Sequence, residues 1–218
     1  LASLSVRGLR IRGGMGRGLR CTDATVALRA VAIEDNIGVG VEGSGCTLTL
    51  ERARVLRNVG GGLYLSGGRS AIRNTFIGKN GGPASVIGGA FILSPTELVL
   101  EFTTIADNQV SGGGAAGLSC TTASAVTVAN DIVVGAAANQ VQADSCAPRF
   151  TLSNQAIAGA TNLVGAPSFR NAAVADYHLL AGSPGVDQAD PAATVSVDID
   201  GEARPAGARA DLGADELH

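Results

Sequence analysis

Apolar and polar residues alternate in short stretches that recur along the chain at fixed intervals. Val6, Leu28, Leu50, Ile72, Leu100 and Val128 stand 22, 22, 22, 28 and 28 residues apart, each preceded two positions earlier by Leu4, Val26, Leu48, Ser70, Leu98 and Val126. Period-two alternation of this kind is the pattern of a half-buried strand. A second alternating pair follows each anchor at the same spacing: Leu9/Ile11, Val31/Ile33, Ala53/Val55, Thr75/Ile77, Thr103/Ile105 and Asp131/Val133. A third apolar stretch lies around Leu19, Val41, Leu63, 91–93 and Leu118. Three strands in about 22 residues leave no room for a crossover helix, so each repeat reads as one coil of a solenoid. The predicted fold class is all-β: a right-handed parallel β-helix with three short strands per coil and 22–28 residues per coil.

The corners between strands carry a second regularity. Asn36, Asn58, Asn80 and Asn108 each stand three residues past the second-strand anchor, with glycines close behind. An inward asparagine at a repeated corner can hydrogen-bond to its counterparts above and below while tolerating a left-handed backbone. The run 38–43, GVGVEG, matches the letters of a dinucleotide-binding fingerprint, but no helical periodicity follows it, so it is read as one instance of this corner. Both longer intervals come from extra residues between the corner asparagine and the third strand, at 81–89 and 109–117. Insertions in repeat proteins gather on one face and often carry binding.

Composition narrows the function. Glycine accounts for 31 of 218 residues, charged residues for 16% and aromatic residues for 3%, with no tryptophan. The net charge of −3 and a single lysine, Lys79, offer no basic surface for nucleic acid. No apolar run is long enough to span a membrane. Outward columns of charge are expected at Arg7, Arg29, Glu51, Arg73 and Glu101, and at Asp35, Arg57, Lys79 and Asp107. Such columns ordinarily form ion-pair ladders. Arg57, Lys79 and Asp107, beside the inserted loops, are also the candidate ligand-binding residues for an anionic polysaccharide, and the candidate catalytic ones were the protein a lyase. Cys21/Cys46 and Cys120/Cys146 fall pairwise near a common corner of adjacent coils, which predicts two disulfides and export to an oxidising compartment.

From about residue 125 the runs VTVANDIVVGAAANQVQADSC, TNLVGAPSF, DYHLLAGSPGVDQAD and DIDGEARPAGARADLGADE resemble the C-terminal part of bacterial exported proteins with right-handed parallel β-helix repeats and a choice-of-anchor tail. The resemblance implies a right-handed helix, export and surface display. Similar endings occur in β-helical polysaccharide lyases of the chondroitinase and alginate lyase type. Residues 1–157 are assigned to coils, with further coils expected upstream, and 158–218 to a last partial coil and a C-terminal cap. In that cap Phe169, Tyr177, Leu179, Leu180, Val186 and Leu212 cover apolar surface, and Arg204 bridges carboxylates such as Asp211. Asp198 and Asp200 are the candidate calcium ligands, although an EF-hand would need further ligands that this stretch lacks. No other cofactor is implied, and His178 is read as a packed residue.

The sequence favours a non-catalytic exported surface or matrix protein that binds glycans along a flat strand face, or an adhesin segment that self-associates end to end. The alternative is a polysaccharide lyase or hydrolase. Against it stand the missing aromatic platforms for sugar stacking, the single lysine and the lack of clustered acids on the strand faces for a two-carboxylate hydrolase.

Overall fold

A computed structural model describes residues 2–121, 125–143 and 146–218. Its strands stack in parallel on three faces of one solenoid. The first face is built from Ser3–Arg7, Thr25–Arg29, Thr47–Glu51, the leading halves of Arg69–Gly78 and Glu97–Ala106, and Val126–Ala129. The second face takes Arg10–Arg12, Ala32–Glu34, Arg54–Leu56, the trailing halves of the same two long strands, Ile132–Val134, and two short rungs at Leu152–Ser153 and Leu163–Val164. The third face contains Leu19–Thr22, Val41–Ser44, Leu63–Ser66, Ala90–Leu93, Leu118–Thr121 and Val141–Gln142. Among the described residues six coils thus have all three faces, and two further rungs extend the second face. The fold is a right-handed parallel β-helix, the hand that connections between parallel strands of one sheet adopt.

Register follows the sequence periodicity residue for residue. Val6 pairs with Leu28, Leu28 with Leu50, Leu50 with Ile72, Ile72 with Leu100 and Leu100 with Val128. Their side chains form a continuous buried core with Ile33, Val55, Ile77 and Ile105 from the second face and Val41, Leu63, Ile92 and Leu118 from the third. On the third face Ala90, rather than Phe91, occupies the inward position in register with Leu63 and Leu118.

The asparagine ladder is present. The Asn36 side-chain amide donates to Asn58 Oδ1 at 2.8 Å, Asn58 to Asn80 at 3.0 Å and Asn80 to Asn108 at 3.0 Å. The second amide proton of Asn58, Asn80 and Asn108 goes to the carbonyls of Ile33, Val55 and Ile77. One expectation needs correction. The left-handed residue is the one before each asparagine: Asp35, Arg57, Lys79 and Asp107 have φ of 57°, 54°, 53° and 56°. Bending the chain there turns the following side chain inward, so the asparagine itself need not leave the ordinary region.

The tail packs on the side of the solenoid. From about residue 165 onward it lies along the outside of the second face, where Leu56, Phe76, Phe102, Ala106, Ile132 and Leu152 point outward and meet Tyr177, Leu179, Ile199, Leu212 and Ala214 in a second buried cluster. From the third coil on the outward positions of that face are mostly apolar, with Leu56, Phe76, Ala106, Ile132, Val134 and Leu152 against the polar Arg54 and Thr104, so it has to be covered along its length. Tyr177 is fully buried, edge-on to Phe76 at 5.8 Å between ring centroids, and its hydroxyl reaches the Ala106 carbonyl at 3.3 Å. Farther back, Arg52 donates to the carbonyls of Ile199 and Asp200. The tail therefore spans the third to the seventh rung. Of the six residues expected to form covers, Leu180 is the exception and is 44% exposed.

Candidate functional site

The charged column beside the inserted loops forms as a column, and its members are engaged with one another. Arg57 Nε donates to Asp35 Oδ1 at 2.7 Å and its Nη2 meets Glu34, a buried carboxylate that also pairs with Arg10. The hydrogen bond from Arg57 holds the Asp35 carboxyl below its ordinary range, and Asp35 in turn raises the guanidinium. Lys79 Nζ lies 3.7 Å from Asp107 Oδ2, and the Tyr177 hydroxyl donates to the same oxygen at 3.3 Å. Burial, reinforced by the Asp107 charge, pushes the Tyr177 hydroxyl well up. The structure brings Arg57, Lys79 and Asp107 onto consecutive coils, as the repeat requires. The inserted loops pack on each other at Ser85 and Ser111, where the Ser111 hydroxyl donates to the Ser85 carbonyl at 2.9 Å.

The third face holds what sequence reasoning missed. Its strands alternate, so Arg20, Glu42, Tyr64, Phe91, Ser119 and Gln142 stand in one outward column, and Thr22, Ser44, Ser66, Leu93 and Thr121 in the next. Tyr64 and Phe91 are half-buried and stack with ring centroids 5.8 Å apart and planes 12° from parallel. Glu42, one coil before Tyr64, pairs with Arg17 and with Arg20. The result is a two-ring apolar ridge on a parallel sheet, with an arginine–glutamate cluster at one end and hydroxyls alongside. Two of the chain's seven Phe and Tyr residues lie on neighbouring rungs of one face, so an aromatic surface is present after all. The signal available was register: counting from Leu63 places Phe91 outward beside Tyr64.

The acidic tail residues separate into different tasks. Asp198 is buried, and its Oδ1 accepts the backbone N–H groups of Asp200, Gly201 and Glu202 at 2.8–2.9 Å, folding its own turn. Asp200 is exposed; its Oδ1 accepts from Arg54 at 3.0 Å and its Oδ2 lies 2.6 Å from His178 Nε2. The two candidate calcium ligands thus face different partners. Arg204 is buried, 4.6 Å from the Phe102 ring centroid, and donates to one carboxylate, Glu216, and to the carbonyls of Asp211 and Gly213. It therefore satisfies backbone carbonyls of a returning segment that has no strand partner, while the Asp211 carboxylate accepts from the N–H groups of Asp187 and Leu217. Burial lowers the Arg204 guanidinium against the pull of the surrounding acids and raises the carboxyls of Asp211 and Glu216. Asp215, also desolvated, is pushed up to about 6.

Both disulfides are formed, Cys21–Cys46 and Cys120–Cys146, with Cα separations of 6.2 and 6.1 Å, and among the described residues no cysteine is free. No helix is long and apolar enough to cross a membrane. A hollow of about 420 Å³ at the C-terminal end, lined by Val141, Ala143, Pro148, Gln155 and Ile157 among others, has no ionisable side chain in its described lining.

No family model matches the chain, and neither does any curated protein. Among solved structures it is similar to one described as the crystal structure of pectate lyase Pel9A, at 14% identity and a TM-score of 0.45, covering 97% of this chain and 73% of that one. The likeness is too distant to carry residues or activity across.

Proposed function

We propose that this protein is an exported, surface-associated glycan-binding β-helix without catalytic activity, and that it binds along the third face. The observation that carries this reading is the stacked pair Tyr64–Phe91 on the outside of a parallel sheet. Aromatic side chains offer large, rigid contact area at small entropic cost and are enriched among residues that dominate binding. Successive rungs about 4.8 Å apart present like positions in a line, a geometry suited to an extended polymer. Glu42 with Arg17 and Arg20 would contact polar substituents next to the ridge. Arg57, Lys79 and Asp107 form the second element of the reading, a charged edge that meets anionic groups. Two buried disulfides fit an oxidising compartment.

Affinity electrophoresis through gels containing neutral and anionic polysaccharides tests the proposal. At least one polysaccharide should retard the wild-type chain. Tyr64→Ala/Phe91→Ala should weaken its binding tenfold or more, equivalent to about 1.4 kcal/mol. Unchanged retardation in that variant would remove the third face from consideration. The lyase alternative rests on the Arg57–Lys79–Asp107 column and predicts release of unsaturated sugars from an anionic polysaccharide, lost in Lys79→Ala.

A further inference from the structure

Three segments of the tail converge on one point. His178 comes from the strand Asp176–Leu179, Asp200 from the turn after Ile199, and Asp215 from the last residues of the chain. One ligand atom from each lies within 4.8 Å of the others. The imidazole Nε2 is 2.6 Å from Asp200 Oδ2 and 4.0 Å from Asp215 Oδ1.

The rear of each group is already held. The imidazole Nδ1 is bound by Asp176 Oδ1, and its ring sits edge-on to Phe76 at 5.3 Å. Asp200 Oδ1 accepts from Arg54, and Asp215 Oδ2 accepts the Leu179 N–H at 2.6 Å. With Asp176 bound at Nδ1, Nε2 is the nitrogen that faces the two carboxylate oxygens; it hydrogen-bonds to Asp200 here, and a metal ion would take the place of that proton. A carboxylate behind a histidine is the supporting arrangement that orients imidazole ligands of metal ions. On the open side lies a space of about 290 Å³, bordered by Arg170, Glu202 and His218, with room for water to complete a coordination shell.

We propose that His178, Asp200 and Asp215 bind a divalent first-row transition ion, with zinc as the test case, and that the ion ties these three tail segments together. One nitrogen and two oxygens suit the four-coordinate N/O preference of zinc, whereas calcium takes six to eight oxygens. In a tetrahedral shell, bonds of about 2.0–2.2 Å set ligand atoms about 3.4 Å apart, so His178 and Asp200 would open from 2.6 Å and Asp215 would close from 4.0 Å. This site is independent of the glycan reading: its ligands lie on the tail outside the second face, away from Tyr64 and Phe91.

The test is a titration of the metal-free full chain with zinc, calcium or magnesium, followed by calorimetry and thermal melting. Zinc should bind with one-to-one stoichiometry at micromolar concentration and raise the melting temperature by several degrees, while calcium and magnesium do neither. Cobalt in place of zinc should give the visible absorption of an N/O site. His178→Ala should abolish both effects. Asp200→Asn changes an exposed side chain that folding should tolerate, and it should weaken zinc binding at least tenfold with an unaltered circular dichroism spectrum. His218→Ala should leave affinity unchanged. The proposal is overturned by the absence of one-to-one zinc binding, by calcium stabilising equally, or by full affinity in Asp200→Asn.

Discussion

Asp131 shows how one side chain can serve a corner and still burden the fold. Its Oδ1 accepts the Thr103 N–H at 2.8 Å, as Asn162 Oδ1 does for Thr151 at the same corner two rungs later, but its Oδ2 is buried without a partner. Burial, with the nearby Glu101 charge adding to it, raises this carboxyl well above the usual range. A carboxyl raised in the folded state contributes its stability at low pH. That contribution is lost as pH climbs from the ordinary aspartate value through the raised one. Asp131→Asn keeps the acceptor and removes the charge, so its urea midpoint should exceed the wild type's at pH 7. The two should converge at pH 4 and below. A wild-type advantage at pH 7 would mean that the carboxylate is compensated. At this scale the sequence was legible where a position repeats: Asn36, Asn58, Asn80 and Asn108 were found by spacing alone. The strain beside them was not, since side-chain chemistry does not show which of two neighbours takes the positive φ.

At the scale of elements, apolar alternation was enough to assign strands, faces and register, because a one-residue slip would turn every core side chain outward. The cysteine pairs were legible from the same repeat: Cys46 stands three residues past Gly43, the partner of Cys21 in register, which puts both at one corner of adjacent coils. Cys21–Cys46 closes a separation of 25 residues, for which chain entropy gives about 3.5 kcal/mol. Replacing both with serine should lower unfolding free energy by roughly that amount in chemical denaturation. A loss well below 1 kcal/mol would show that the coils hold their own register. The third face and the tail were less readable. Phe91 sits in the apolar run 90–93, where alternation is masked, and the aromatic pair emerges only after the register is counted from Leu63. The tail has no repeat, so its apolar residues could be counted but not aimed.

For the whole molecule the main finding is where the tail goes. In a solenoid each repeat touches only its neighbours, and stability is close to a sum of local terms. Here the tail adds contacts between distant rungs: Arg52 and Arg54 with Asp200, Gly78 under Tyr177, Thr104 with Ala214, and Leu152 beside Gly185. A Cβ on Gly78 would lie 2.3 Å from a Tyr177 ring carbon. Gly78→Ala should therefore cost about 1–3 kcal/mol and detach the tail first. Hydrogen exchange should speed up at 176–179 and 211–216 while the Asn36–Asn108 ladder stays protected. Uniform loss of protection would show tail and coils opening as one unit. The placement of the tail also has a mechanical meaning. A stack of coils pulled lengthwise would peel one rung at a time, each held by its own short ladder of hydrogen bonds. A strap lying across five rungs puts those ladders under load together, so force applied along the solenoid has to shear an apolar seam before any single coil can leave.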